Sequence, residues 1–109
     1  MTVNPIPIQR ISPEEMRRRF NDGQYWERTI KGEFSQTILE ERVPSALPPN
    51  EPPGTLSQMI SYRDANNDEV ARVHQYLRPD RKIGASGKPD PKRLLENDIL
   101  YRLVKGPKV

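Results

Sequence analysis

Apolar and polar positions along the chain change their period several times, and each change predicts an element. In ISPEEMRRRFNDG, Met16 and Phe20 recur four apart among charged residues, which is the face of a helix. Its start is well signalled. Ser12 suits the N-cap, Pro13 the first helical position, and Glu15 the third position, where it completes a capping box. Ile11 can staple onto Met16 across the cap, and Gly23 suits a left-handed stop. The pattern predicts a helix over 13–21. Glu14 and Glu15 sit at its positive end, with three arginines toward the negative end. Successive helical side chains diverge by about 100°, so Arg17, Arg18 and Arg19 cannot form one flat nucleic-acid patch. They read as a solvated face.

Tyr25 and Trp26 read as core, and Trp26 with Ile30 can continue a helical face. From Phe34 the period shortens to two, which predicts a strand over about 33–41, stopped before Pro44. PSALPPNEPPG, residues 44–54, holds five prolines and reads as a stiff connector. Beyond it, Leu56–Arg63 and Glu69–Arg78 predict a hairpin around DANND. A turn at PDRK follows, with Arg81 where glycine would sit most easily. RLLENDILYRLV is ambiguous. It fits a hairpin turning at Asn97–Asp98, or a short helix capped by Asp90 and then a strand over 99–104. The Asp90–Pro91 pair favours the helix.

The fold class that follows is α+β: an N-terminal helix packed on a curled antiparallel sheet of about four strands. The expected organisation is an extended arm over 1–10, a single domain over 11–104 and a flexible tail over 105–109. Leu56–Arg63 is expected at an edge, where it could support a dimer; a monomer or weak homodimer is expected.

Composition narrows the chemistry. Hydrophobic residues make up 33% and charged residues 30% of the 109-residue chain, so the core must be economical. Without cysteine, disulfides, thiolate metal sites and thiol nucleophiles are excluded. No apolar run approaches the ~18 residues of a membrane span, and the N-terminus lacks a signal-peptide pattern. A cytoplasmic protein with no membrane partner and no cofactor is expected.

The net charge of +3 is concentrated late in the chain. KIGASGKPDPKR, residues 82–93, is a basic Gly-rich loop. Gly84, Ser86 and Gly87 could present N–H groups to an anion, flanked by Lys82, Lys88, Lys92 and Arg93. It is not a P-loop, because the glycines stand too close and Pro89 follows Lys88. Nor do VHQYLRPD and GASGKPDPKR carry a motif of a named family. The only histidine is His74. Strand alternation puts it on one face with Arg72, Tyr76 and Arg78. Histidine can move a proton near neutral pH and arginine forks match phosphate oxygens. Carboxylate spacing fits neither a calcium loop nor a zinc cluster, so no metal site is expected.

Two readings follow. The favoured one is a non-enzymatic binding protein whose basic loop takes phosphate or RNA, or whose proline segment docks on a protein partner. The alternative is a metal-independent ribonuclease in which His74, with Tyr76, acts as acid or base among neighbouring cations.

Overall fold

A computed structural model describes residues 5–105. The first four residues of the expected arm and residues 106–109 of the expected tail lie outside the described residues. The described chain forms two helices and six strands. They are β1 (Ile8–Ile11), α1 (Pro13–Asp22), α2 (Tyr25–Ile30), β2 (Ser35–Arg42), β3 (Leu56–Arg63), β4 (Glu69–Leu77), β5 (Asp90–Glu96) and β6 (Ile99–Leu103).

Helix α1 begins as its sequence dictates. Ser12 Oγ accepts from the Glu15 N–H at 3.1 Å, and Pro13 occupies the first turn. Ile11 and Met16 are both buried, as a staple across the cap requires. The Glu15 carboxylate reaches forward to Arg18 and Arg19 rather than back to Ser12. The expected left-handed glycine stop is displaced by one residue. Gly23 is right-handed at φ −79°, and Gln24 takes the left-handed step at φ 55°. Gly23 is needed for space: a Cβ there would lie 2.4 Å from the Tyr25 ring. The left-handed step turns the chain into α2, whose buried residues are Tyr25 and Thr29. Of the expected Trp26–Ile30 face, Trp26 is partly buried against the core and Ile30 is exposed.

The sheet has six strands rather than about four, in the order β1-β6-β5-β4-β3-β2, and it is open. Strands β2 to β6 form an antiparallel meander, and β1 adds in parallel beside β6. The sheet is therefore mixed. The extended arm supplies this extra strand, because β6 leaves an edge that the arm can pair. β3 lies inside the sheet between β2 and β4, so the edge expected at Leu56–Arg63 is instead at β2.

The last segment is a hairpin, not a short helix and strand. Leu94 pairs with Tyr101 and Glu96 with Ile99, leaving Asn97–Asp98 as the turn. Both turn residues have positive φ, 52° and 62°, which matches the right-handed strand twist. Asp90–Pro91 looks like a helix start, but the strand register buries Leu94 completely, and that burial overrides the local signal.

The helices cover one sheet face only. Met16 and Phe20 pack there with Tyr25, Phe34, Ile60, Tyr62, Val73, Leu94 and Tyr101. Fully burying a side chain of the size of Met, Phe or Leu contributes about 1.5–3 kcal/mol, so this cluster fixes the helix layer on the sheet. Arg19 and the Tyr25 hydroxyl both bond Glu96 of β5, and Arg19 also lies 4.3 Å over the Tyr101 ring. The opposite sheet face carries no helix.

Candidate functional site: an open, arginine-bearing sheet face

The register aligns four arginines across the uncovered face. Arg10 on β1 pairs with Arg102 on β6, Arg102 with Arg93 on β5, and Arg93 with Arg72 on β4. The row crosses four adjacent strands, each about 4.8 Å from the next, and so extends roughly 14 Å. Like charges directly opposite one another destabilise a sheet. Three such contacts in succession are a local cost that folding alone does not explain.

These arginines line a groove of about 470 Å³ with Lys92 and Lys105. Compensation is sparse. Glu69 accepts from Arg72 Nε at 3.1 Å and lies 3.8 Å from Arg93, and Asp90 pairs with Lys92 at 2.8 Å. Among the described residues, Arg10, Arg102 and Lys105 have no carboxylate partner within ion-pair distance. Burial and the charges of Arg72 and Arg102 together push the Arg93 pKa below its ordinary value. The groove is thus an electropositive surface formed by six cations and two carboxylates.

Lys92 owes its place to an irregularity. The β4–β5 register shifts between Arg72 and Val73, so Arg93 faces Arg72 while Pro91 faces Val73. The residue between them, Lys92, is the extra one of a bulge, the usual device for re-aiming a side chain.

The Gly-rich loop does hold an anion, and that anion is Glu51 of the proline-rich connector. Arg78 donates to its carboxylate through Nε at 2.8 Å and through Nη2 at 3.0 Å, and the Ala85 N–H donates at 2.8 Å. A Cβ on Gly84 would lie 2.5 Å from Glu51 Oε2, so glycine is required for this close approach. The Glu51 side chain is only 1% exposed. The Arg78 hydrogen bonds, then that of Ala85, bring its pKa down to about 2. Two expected anion-site residues, Arg78 and Gly84, are therefore engaged within the chain. Lys82 lies in the 78–83 turn, where its N–H bonds Asp80, and the Gly87 N–H bonds the Gly84 carbonyl.

Ser86 and Lys88 face elsewhere. With Arg17, Asn21, His74 and Tyr76 they line a cleft of about 540 Å³, where β4 runs on past the start of β5. The His74 and Tyr76 rings meet edge to face with centroids 4.8 Å apart. His74 Nε2 is 2.8 Å from Ser57 Oγ on β3. Burial lowers the His74 pKa, Lys92 and Arg42 lower it further, and Asp90 opposes them. At neutral pH the ring is neutral and bonded to a buried hydroxyl.

Of the residues singled out by sequence, Arg72, Lys92 and Arg93 thus gather on the open face. His74, Tyr76, Ser86 and Lys88 gather at the neighbouring cleft. Arg10, Arg102 and Lys105 were not anticipated. Arg10 and Arg102 belong to strands whose pairing was not foreseen, Lys105 follows the end of β6, and no local motif marks them. Glu51 carried a weak signal, as the one charged residue of the proline segment.

Among the described residues no three His, Cys, Asp or Glu side chains cluster as metal ligands, and no helix is long and apolar enough to cross a membrane. No family model, curated protein or solved structure matches the chain.

Proposed function

We propose that this is a non-catalytic RNA-binding protein that captures phosphates on its open sheet face. The observation that carries the reading is the unbroken row Arg10–Arg102–Arg93–Arg72, held in cross-strand register. Guanidinium groups match phosphate oxygens bidentately, so the groups that repel one another in the free protein are those a phosphate chain would bridge. The sequence pI of about 9.4 adds long-range attraction for a polyanion.

Binding without turnover is the better reading of His74. Acid–base cleavage of RNA needs a proton acceptor and a proton donor. The hydrogen-bond partner of His74 is the Ser57 hydroxyl, and among the described residues no titratable group bonds the ring.

The test is fluorescence anisotropy of a labelled RNA across a salt series, with wild type and Arg93→Ser/Arg102→Ser side by side. Affinity is expected to fall steeply with salt and to drop sharply in the variant. An absence of binding, or binding indifferent to both salt and the two substitutions, overturns the reading.

A further inference from the structure

Two residues along each strand from the arginine row lies a second row in the same register. Ile8 on β1 pairs with Leu100 on β6, and Leu100 with Leu95 on β5. Side chains two apart on a strand share a face and stand about 7 Å apart. An aliphatic row therefore runs beside the cationic one. Ile8 is 55% exposed, although it sits in regular structure and takes no part in the core. The open face is thus striped: guanidinium groups on one line and uncharged aliphatic groups on the next.

Resting on the RNA-binding reading, we infer that the ligand is a single strand that crosses the β-strands, with its phosphates along Arg10–Arg102–Arg93–Arg72 and its bases turned onto Ile8, Leu100 and Leu95. A single strand presents an anionic edge and an unpaired, weakly polar base edge side by side, which is the pattern of the two rows. A duplex hides its bases and would set its sugar–phosphate surface against the aliphatic row, leaving Ile8 facing charge. Phosphate contacts give affinity without sequence preference, and aliphatic contact with base faces is likewise indifferent to base identity.

The salt dependence makes the geometry measurable. For a single strand the slope of log K against log salt is about −0.7 per phosphate neutralised, so four contacts give about −3. Each arginine removed from the row should reduce the slope by about 0.7. Removing an aliphatic side chain should weaken binding with the slope unchanged.

The experiment measures anisotropy of a labelled oligouridine and of a blunt RNA duplex of equal length across a salt series. It uses wild type, Arg102→Ala and Ile8→Ser, with thermal melts to establish that each variant is folded. The expected result is tighter binding of the single strand, a shallower slope for Arg102→Ala, and several-fold weaker oligouridine binding by Ile8→Ser at an unchanged slope. Equal or tighter duplex binding, or oligouridine binding untouched by Ile8→Ser, overturns the inference while the RNA-binding reading stands. No binding of either RNA removes that reading and the inference with it. A parallel titration with phosphatidylserine vesicles covers the remaining occupant. If vesicles displace RNA and Ile8→Ser abolishes vesicle binding, the striped face is a membrane-docking surface, which also overturns the inference.

Discussion

Glu51 and Arg78 form a two-point clasp, with Nε on one carboxylate oxygen at 2.8 Å and Nη2 on the other at 3.0 Å. The clasp ties the proline-rich connector to the end of β4. Its strength depends on the charge of Glu51, whose pKa is brought down to about 2, from about 4.3 in an unfolded chain. A depressed carboxylate stabilises the fold above the unfolded value and loses that contribution as pH falls toward the folded one. Wild type should therefore lose stability between about pH 4.3 and pH 2 more steeply than Glu51→Gln. Urea midpoints measured across that window check it, and parallel curves would contradict it.

The arginine row sets stability against binding. Replacing Arg102 by Thr relieves two like-charge pairings, with Arg10 and with Arg93. The variant should be more stable by about 0.2–1 kcal/mol at low salt. The gain should shrink as salt screens the repulsion, and RNA affinity should fall in the same protein. A thermal melt and a binding curve, each at two salt concentrations, give all three results. An Arg102→Thr protein that is less stable at low salt would show that the row is not repulsive.

His74 provides a second pH window. Burial, then Lys92 and Arg42, hold its folded pKa below the unfolded value of about 6.5. The unfolded chain then binds a proton that the folded chain resists, so stability is full above about pH 6.5 and declines as pH drops below it. His74→Gln should flatten the change between pH 7 and pH 5. A time course on labelled RNA with EDTA present belongs beside it. The RNA should remain intact; cleavage that vanishes in His74→Ala would instead establish a metal-independent ribonuclease.

Arg81 holds a left-handed conformation, φ 69°, in the turn after β4. That conformation costs a residue with a Cβ about 1–2 kcal/mol, against which glycine pays more backbone entropy on folding. Arg81→Gly should raise stability by up to about 1 kcal/mol. It removes a positive charge lying off the arginine row, so the salt slope of RNA binding should not change. The variant therefore separates the row from general basicity.

Gly23 offers the reverse case. Its φ suits any residue, but a Cβ would press into the Tyr25 ring, which is stacked on Phe20 and bonded to Glu96. Gly23→Ala should cost about 1–3 kcal/mol, the range for forcing an extra carbon into a packed site. Denaturant titration measures it, and a neutral result would mean that the ring moves freely.

What the sequence made legible was local. The Ser12–Pro13–Glu15 start of α1, the alternation of β4, and the positive-φ demand at Arg81 each depend on neighbours a few residues away. Gly23 was legible as a stop, but its reason lies in a ring two residues on. The hairpin over β5 and β6 was misjudged because Asp90–Pro91 imitates a helix start, while the opposing evidence, Leu94 against Tyr101, exists only after pairing. The binding face was hidden for the same reason. RRR at 17–19 advertises a basic patch, yet those side chains turn to Glu14, Glu15 and Glu96. The face comes instead from single arginines on four separate strands, joined only by register.

The parallel pairing of β1 with β6 also bears on the order of assembly. β1 is synthesised first among the strands and its neighbour last, so β1 must wait until nearly all of the described chain has emerged. The intervening meander can form in sequence, each strand against the one before, but this contact spans the greatest separation and closes last by the ordinary entropy of chain closure. The same contact sets Arg10 beside Arg102 and Ile8 beside Leu100. A chain interrupted before β6 would have most of its meander but lack Arg102 and leave Arg10 with no strand to pair beside, so binding competence arrives only with completion of the sheet.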